Sequence, residues 1–426
     1  MNKVIIKNVN IPSLGEDVFH AVVLNDRYEK IVSVFSDHAE EIIQNEERPQ
    51  IEIIDAEGWT MLPTFTDIHT HLDKAFTYEQ IPNNSGTLME AIEKYQEKAG
   101  GFETENIKQR MQRVLAQALA SGTGRMRTHI NVNSGPDGLK ALYAACRLKT
   151  EYKNLIDLQI IAMVADPIAE LNEDNSFLLS LIESDIDGIG GAPHLSENCT
   201  EEIKVLFAFA AEHQLLIDLH VDEQDDPAVR SIEEIIAQVK HHGYHHKTTV
   251  GHLCTLSAMD TEEASSIIEK IAGENINVVT LPAANLCLQG REDQKNVRRG
   301  TTRVKEFLAN DVCIAAASDN INDPFHPFGN GDMLLTALLS AYANHLTGTE
   351  DIKKVFDMIT KNPAEIFHEN VDIKTGKKAD FVLVEGRSLA EILANQKPGR
   401  KVFRNGRWTS IRTVNQTIER GYSIHA

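Results

Sequence analysis

Two histidines separated by a single residue, His69 and His71, are the first residues in this chain whose types and spacing could do chemistry. They follow the apolar segment 60–68, whose composition predicts a buried strand. Residues i and i+2 of a strand point to the same face, so both imidazoles can reach one point, as a divalent metal ion requires. A hydrogen-bonded pair of histidines at a strand end fits the same spacing, so the pair alone leaves both interpretations open.

Two later apolar segments end in residues that could complete such a site. His220 lies near the end of one segment, and Asp319 directly follows the other. Together with the first pair they supply three imidazoles and one carboxylate, a set that can hold one divalent ion and leave a position for water. An ion bound in this way lowers the pKa of the water toward neutral pH.

Two further residues have the right type and position for proton chemistry beside this set. Glu223 follows His220 by three residues and could take a proton from the water, a role commonly worth ~10²–10⁴ in rate. His252, at the end of another apolar segment, could donate a hydrogen bond to the attacking oxygen or to the developing charge. Each residue singly also fits a structural role, but their recurrence at predicted strand ends favours a metal-dependent catalytic site.

Several other histidines and charges are interpreted as structural. His129 and His194 lie on or just after predicted strands, and His194 could also reach the mouth of the site. Asp73 and Lys74 are expected to form a fixed ion pair or a loop anchor, with metal ligation by Asp73 a second choice. The histidine-rich run 240–247 resembles a metal tract, but its place before a predicted strand indicates a solvated loop far from the site.

Eight apolar strand candidates alternate with amphipathic stretches through the middle of the chain. The strand candidates are 60–68, 125–132, 157–164, 186–191, 215–221, 248–253, 276–282 and 312–318. Eight strand–helix units predict a (β/α)8 TIM barrel of the α/β class, in which active-site residues lie at the carboxyl ends of the strands. A doubly wound sheet is the alternative, but it has fewer strands, and no Gly-rich phosphate-binding turn is found at a strand–helix junction.

The two ends of the chain have a different pattern from the middle. Residues 1–58 and 371–426 contain short apolar runs separated by polar turns, as expected for β-strands. They predict one small β-sandwich domain built from both termini. Residues 59–370 are then the metal-dependent barrel domain.

Charge, the N-terminal pattern and the cysteines indicate the compartment of the protein and exclude some classes of partner. With 42 basic and 63 acidic residues the formal charge is −21, which argues against nucleic acid or an anionic membrane as a partner. The N-terminus lacks the pattern of a signal peptide, and no apolar run is long enough to span a bilayer. The five cysteines are scattered without CxxC spacing, so we expect free thiols in a cytoplasmic protein.

The sequence resembles the amidohydrolase superfamily along nearly its whole length, and within it the cytosine deaminase-like branch. The matching motifs include IHTHLDKAF (68–76), RTHINV (127–132), LIDLHVDEQDD (216–226), LQGR (288–291) and PFGNGDM (327–333). The resemblance implies one divalent ion, zinc or iron, held by His69, His71, His220 and Asp319. It also implies Glu223 as proton shuttle, His252 as the residue that positions the attacking oxygen, and a homo-oligomeric protein.

The implied reaction is hydrolytic deamination of a small amino-substituted N-heterocycle of the cytosine, triazine or a related type. Water attacks an sp² ring carbon, and ammonia or an amine leaves. Hydrolysis of a cyclic amide or amidine with ring opening is the first alternative on the same scaffold. A non-catalytic metal-binding scaffold is the alternative from another class.

Five residues are expected to contact the substrate: Leu88, Met163, Ala165, Asn320 and Phe325. Ala165 stands about where cytosine deaminases carry a glutamine that holds the pyrimidine, and Asn320 stands where they carry an aspartate. Because a carboxylate only accepts hydrogen bonds while a carboxamide also donates, these departures argue against cytosine itself. The segments around Asn320 and 327–333 are more similar to isopropylammelide amidohydrolase, a member of the same branch.

Overall fold

The structure, a computed structural model, describes residues 3–15, 18–25, 27–36, 51–166, 176–295 and 297–413. Its strands form two separate eight-stranded sheets. One is a barrel of parallel strands, and the other combines strands from both ends of the chain. The predicted TIM barrel with a β module built from both termini is confirmed.

The barrel strands follow one another in chain order, and each is parallel to its neighbours. They are β6 (Phe65–Thr70), β7 (Thr123–Val132), β8 (Asp157–Val164), β9 (Gly188–Gly190), β10 (Leu216–Val221), β11 (Thr248–His252), β12 (Asn277–Thr280) and β13 (Ile314–Ala316). The first and last strands meet where Thr70 bridges to Asp319 in parallel. This contact brings the end of β6 beside the residue that follows β13.

The terminal sheet has the strand order β16-β15-β14-β5-β1-β2-β3, and β4 pairs with β1. Its strands are β1 (Lys3–Asn10), β2 (Phe19–Leu24), β3 (Ile31–Ser36), β4 (Ile51–Asp55), β5 (Thr60–Pro63), β14 (Phe381–Val384), β15 (Arg400–Arg404) and β16 (Arg407–Arg412). Phe381 and Phe403 stack in its core with ring centroids 5.0 Å apart. Burial of these large rings removes apolar surface from water and so stabilises the sheet.

Thirteen α-helices occur within the described residues, most of them between barrel strands. They are α1 (Leu88–Ala99), α2 (Thr104–Ser121), α3 (Lys140–Tyr152), α4 (Ser176–Ile182), α5 (Cys199–His213), α6 (Ser231–His242), α7 (Thr261–Gly273), α8 (Pro282–Leu288), α9 (Val304–Ala309), α10 (Met333–Ala343), α11 (Thr349–Asp357), α12 (Lys361–Ile366) and α13 (Leu389–Asn395). Their apolar faces pack on the outside of the barrel strands in one continuous core. None of the helices described here is long and apolar enough to cross a membrane.

The predicted strand 60–68 is in fact two strands in different sheets. β5 pairs with β14 and β1 in the terminal sheet, whereas β6 pairs with β7 in the barrel. The division falls at Thr64, directly after Pro63, which has no backbone N–H to continue a ladder. The amide of Phe65 instead donates to the carbonyl of Gly122, which starts the barrel pairing. A continuous apolar run could not reveal this change of sheet.

Arg404 joins the terminal sheet to the barrel. Its guanidinium is fully buried and lies 2.6 Å from Asp157 and 3.3 Å from Asp380, measured from Nη2 to a carboxylate oxygen. It also donates to the carbonyl of Leu155 at 2.9 Å and to the carbonyl of Gly124. These contacts lie at the amino ends of barrel strands, so the terminal sheet sits away from the carboxyl ends.

Candidate active site

The four residues predicted to bind a metal lie together at the carboxyl ends of the barrel strands. His71 Nε2 is 3.0 Å from His220 Nε2, and His69 Nε2 is 3.2 Å from the same atom. Asp319 Oδ1 is 3.2 Å from His71 Nε2 and 3.7 Å from His69 Nε2. All four side chains are buried. Residues far apart in the chain thus direct one ligand atom each at a common point.

This cluster fits a metal ion better than a network of hydrogen bonds. Burial lowers the pKa of each of His69, His71 and His220 well below its usual value, which favours neutral rings. Burial, together with nearby Asp323, raises the pKa of Asp319 well above its usual value. Asp319 Oδ1 has no hydrogen-bond partner among the described residues. Converging lone pairs and an unpaired carboxylate oxygen are what a bound cation would satisfy.

Three residues at or just after the carboxyl ends of barrel strands have left-handed backbone conformations. Asp319 has φ +61°, His252 has φ +71° and Asp222 has φ +50°. Such values are uncommon for residues other than glycine and cluster at functional sites. At Asp319 the turn allows the backbone N–H to donate to the carbonyl of His69 at 3.0 Å, which holds the carboxylate beside the histidines.

Glu223 and His252 lie beside the cluster, as their order in the sequence predicted. His252 Nδ1 is 3.5 Å from Glu223 Oε1, and both side chains are buried. Burial and then the charge of Asp319 raise the pKa of Glu223 well above its usual value. Burial lowers the pKa of His252 well below its usual value. A carboxyl group with a raised pKa can hold and release a proton near neutral pH.

The loop that carries Glu223 is anchored by Asp222. Its Oδ1 accepts hydrogen bonds from the backbone N–H and the hydroxyl of Ser231, and its Oδ2 accepts one from the N–H of Ile232. These N–H groups belong to the first turn of α6, where a carboxylate is favoured by the helix dipole. The anchor therefore fixes the backbone next to Glu223.

Asn285 is a residue of the site that the sequence did not reveal. It is fully buried in α8, and its Nδ2 lies 2.9 Å from His252 Nδ1. Thr302 adds a second contact by donating its hydroxyl to the carbonyl of His252 at 2.6 Å. Asn285 precedes the LQGR motif by three residues, so the motif was the available signal, but a buried asparagine in a short helix has no distinctive pattern.

A second possible metal cluster lies deeper in the barrel and fits a cation less well. It consists of His69, His129 and Asp218. The ring of His129 lies 4.0 Å from that of His69 and is fully buried. Arg127 Nη1, however, is 2.7 Å from Asp218 Oδ2, so a guanidinium already balances this carboxylate. A further positive ion there would be repelled by Arg127.

Lys74 takes part in the cavity wall as well as in the predicted pair with Asp73. Its Nζ is 3.6 Å from Asp73 Oδ2, but it is 3.0 Å from His71 Nδ1 and 2.8 Å from Asn131 Oδ1. His194 also contacts a cluster residue, since its Nδ1 lies 3.1 Å from the carbonyl of His220. A carbonyl only accepts, so His194 Nδ1 carries the proton.

The histidine-rich run 240–247 lies outside this region. His241 and His242 are the last residues of α6, so the predicted loop begins only at Gly243. The run leads into the amino end of β11, opposite the end that carries His252. Its distance from the site agrees with the prediction, but part of it is helical.

A cavity of about 730 Å³ opens above the cluster. Its wall includes the five residues expected to contact substrate, Leu88, Met163, Ala165, Asn320 and Phe325, together with His71, His220, Glu223, His252 and Asp319. Further apolar side chains come from α1, and acidic ones come from the loops after β8 and β9: Met89, Ile92, Tyr95, Asp166 and Glu197. A cavity of this size and mixed character suits a small organic molecule.

Comparison with known proteins agrees with this site. The Amidohydrolase family profile matches residues 60–409. A pterin deaminase of Rhizobium rhizogenes is 31% identical over 351 residues, which cover 81% of this chain and 79% of that protein. An N-isopropylammelide isopropyl amidohydrolase of Pseudomonas sp. strain ADP is 30% identical over 366 residues, covering 83% and 87%.

Solved structures show the same architecture. The 5-methylcytosine deaminase of Klebsiella pneumoniae, liganded with 5-fluorocytosine, superposes with a TM-score of 0.87 at 26% identity, covering 97% of this chain and 99% of that one. The N-isopropylammelide isopropylaminohydrolase of Burkholderia multivorans shares the fold, with a TM-score of 0.81 and 22% identity over 96% of this chain and 99% of that one. The predicted family is thereby confirmed. This chain belongs to the amidohydrolase family and is a hydrolase that acts on carbon–nitrogen bonds other than peptide bonds.

Proposed function

We propose that this chain is a mononuclear metal-dependent aminohydrolase that deaminates a small amino-substituted N-heterocycle and releases ammonia or an amine. The observation that carries the proposal is the convergence of three imidazole nitrogens and one carboxylate oxygen at the floor of a cavity, with Glu223 and His252 beside them. Relatives named for pterin, isopropylammelide and 5-methylcytosine point to nitrogen heterocycles as the substrate class.

His69, His71, His220 and Asp319 would hold one divalent ion, zinc or iron. When bound, such an ion supplies a water of lowered pKa, which is the nucleophile that a hydrolysis at neutral pH needs. One ion is favoured over two because Arg127 already balances the negative charge of Asp218 in the deeper cluster. In addition, the strand region 186–191 contains no lysine that could bridge two ions.

Glu223 is the residue proposed to move protons. Its carboxylate takes a proton from the attacking water, and the resulting carboxylic acid delivers that proton to the departing amine. Burial raises the pKa of Glu223 above its usual value, which favours a group that both takes up and returns a proton during the reaction. His252 is proposed to donate a hydrogen bond to the charge that develops at the reacting carbon.

The cavity wall is proposed to select the ring. Leu88, Met163 and Phe325 supply apolar contacts for its faces, and Asn320 supplies a polar contact. Ala165 is exposed and short, so it leaves open the place where a longer side chain could hold a pyrimidine. This arrangement favours pterins, whose second ring can fill that space, or triazines that carry a substituent there.

Release of ammonia tests the proposal directly. The purified protein is loaded with zinc or ferrous ion and assayed against cytosine, 5-methylcytosine, N-isopropylammelide, pterin and creatinine. We expect ammonia or isopropylamine from at least one ring, with the corresponding hydroxylated or oxo ring as product. Formation of a ring-opened acid without ammonia would instead assign a cyclic amide hydrolase. No product from any ring would contradict the proposed substrate class.

We further propose a cytoplasmic homo-oligomer. All five cysteines are free in the structure, as suits a reducing compartment. Light scattering of the purified protein measures the oligomeric state, and a monomeric mass would contradict this part of the proposal.

A further inference from the structure

Asn320 is held by a buried carboxylate that no motif pointed to. Asn320 directly follows Asp319 and lines the cavity, and only 5% of its surface is exposed. Its Nδ2 donates to Asp323 Oδ2 at 2.7 Å. Asp323 is fully buried. The orientation of the Asn320 amide therefore depends on whether buried Asp323 accepts or donates a hydrogen bond.

Asp323 is itself fixed as a hydrogen-bond acceptor. Its Oδ1 accepts from the backbone N–H groups of Phe325 at 2.9 Å and His326 at 3.1 Å. Burial raises the pKa of Asp323 to about 6, while these bonds and the charge of Lys74 favour the ionised form. A carboxylate has no proton to donate, so the group facing Asp323 must be the NH₂ of Asn320 and not its carbonyl oxygen.

The backbone of Asn320 is fixed as well. His326 Nδ1 lies 3.1 Å from the carbonyl oxygen of Asn320. Gly329 packs so tightly against this carbonyl that a Cβ at position 329 would lie 2.1 Å from the oxygen. Because the main chain of Asn320 is held in place, a backbone shift cannot readily bring the side-chain carbonyl oxygen of Asn320 to Asp323.

The remaining oxygen of the Asn320 amide is free to face a ligand. Asn320 Oδ1 accepts no hydrogen bond from the residues that the structure describes, although Asn320 is part of the cavity wall. An amide with one edge bound to Asp323 directs its carbonyl oxygen away from that carboxylate. Toward the cavity it therefore acts as an acceptor.

We propose that Asp323 locks the Asn320 amide with its carbonyl oxygen toward the cavity, so that the site selects heterocycles with a ring N–H at that position. Asn320 is then a residue that determines specificity, and Asp323 is a positioning residue that acts through it. The inference rests on the proposed function for its substrate class, but the fixed orientation of the amide stands on the geometry alone.

The lock changes what the asparagine implies for the substrate. With one of its two N–H donors bonded to Asp323 and its carbonyl oxygen turned toward the cavity, Asn320 offers the substrate an acceptor, as the aspartate of cytosine deaminases does. It does so without a negative charge and without the ability to take a proton. Recognition of a ring N–H is therefore retained at this position, and proton transfer is left to Glu223.

The variant Asp323→Asn gives a sharp test because it should reverse the orientation of the Asn320 amide. The amide introduced at position 323 would keep an oxygen for the backbone N–H groups of Phe325 and His326 but present an NH₂ to Asn320. Two NH₂ groups cannot bond to each other, so the Asn320 amide should rotate and turn its NH₂ toward the cavity. The double variant N320D/D323N restores an acceptor there, because the new carboxylate at position 320 would accept from the new amide at position 323.

The first measurement needs no substrate. In protein labelled with ¹⁵N at asparagine, the Asn320 side-chain NH₂ signals are assigned by their loss in N320A. We expect one of the two protons to be shifted downfield by the Asp323 carboxylate, and this shift to disappear in D323N. Identical Asn320 side-chain signals in wild type and D323N would overturn the lock.

The second measurement uses each ring that yields ammonia, together with its ring-N-methylated derivative. In wild type, methylation of the recognised N–H should lower kcat/KM ~10-fold or more, because a buried acceptor loses its partner. D323N should lower kcat/KM for the parent ring to a similar extent, and N320D/D323N should restore most of it. Metal content and melting temperature serve as controls for folding.

The NMR and kinetic measurements together distinguish failure of this inference from failure of the proposed function. Equal kcat/KM for a ring and all its N-methyl derivatives, or for wild type and D323N, overturns the selection of an N–H donor. If no ring reacts, the proposed function fails, and the spectra of Asn320 still decide whether the amide is locked.

Discussion

At the scale of single residues, burial is what gives the site its chemistry. The Nε2 atoms of His69 and His71 each lie within 3.2 Å of His220 Nε2, an approach that charged rings would oppose and neutral rings permit. The same burial raises the pKa of Glu223 and Asp319. A cation at the centre of this set would therefore offset a large cost of desolvation.

Replacement of Glu223 by Gln tests its role in proton transfer. The amide has nearly the same shape but cannot take a proton, so turnover should fall by ~10² or more. Metal content, measured by inductively coupled plasma mass spectrometry, should not change because Glu223 is not one of the four proposed ligands. Undiminished turnover of the E223Q protein would remove Glu223 from the mechanism.

Replacement of Asn285 by Ala tests whether it positions His252. Loss of its contact with His252 Nδ1 should free the ring and lower kcat between ~10- and ~100-fold, with a smaller effect on KM. The matched control is Asn277→Ala, a buried asparagine whose side chain bonds to the carbonyl of His246 at the amino end of β12. If both variants have the same kcat as wild type, Asn285 is only a packing residue.

At the scale of elements, strand ends and the helices after them hold the functional groups. Four of the barrel strands carry the clustered residues, Glu223 and His252 at or just beyond their carboxyl ends: β6, β10, β11 and β13. A fifth strand, β8, adds Met163 and Ala165 to the cavity wall. The strand interiors are buried on both faces, which fixes their register against the surrounding helices. Loops of a few residues then place the side chains, with left-handed residues such as Asp319 making the turns.

The link between Asp222 and α6 can be tested at this scale. Asp222→Ala removes the acceptor for the first turn of α6 and should cost about 1–2 kcal/mol of unfolding free energy, as loss of a helix cap does. It should also lower kcat, since the loop next to Glu223 loses its anchor. Chemical denaturation and turnover measure the two effects.

The control for this variant is Ser388→Ala at the start of α13. Ser388 caps that helix by accepting from the N–H of Glu391 at 3.1 Å, in a part of the chain that does not line the cavity. The Ser388→Ala variant should lose a similar amount of unfolding free energy without a change in kcat. A fall in kcat that is equal in the two variants would show that only global stability matters.

At the scale of the whole molecule, the two sheets have separate tasks. The terminal sheet covers the amino ends of barrel strands through Arg404, and the cavity opens at the opposite ends. Substrate access and the support of the barrel are therefore on different sides. Changes in the terminal sheet should affect stability without altering which ring is bound.

The proposed metal site depends on the whole barrel, because its four proposed ligands come from three widely separated parts of the chain. We expect about one divalent ion per chain in metal analysis. Removal with a chelator should abolish turnover and lower the melting temperature, since an ion that binds only the folded state stabilises it. Re-addition of zinc or ferrous ion should restore both. Two tightly bound ions per chain would contradict the mononuclear proposal.

Local patterns in the sequence were enough to predict the barrel, its eight strands and the identity of the clustered residues. Those patterns are apolar runs, their spacing, and histidines or carboxylates where the runs end. The barrel topology then brings the strand ends together, so His69, His71, His220 and Asp319 could be grouped without coordinates. The split of the predicted strand 60–68 was missed because both halves are apolar.

The polar residues that act on those groups could be recognised only from tertiary contacts. The contact of Asn285 with His252 and the contact of Lys74 with Asn131 join residues distant in the chain, and neither has a local signature. The contact of Asp323 with Asn320 spans three residues, but it depends on a buried turn that composition does not reveal. Whether an asparagine donates or accepts toward a substrate is set by its neighbours, since its side chain carries both groups.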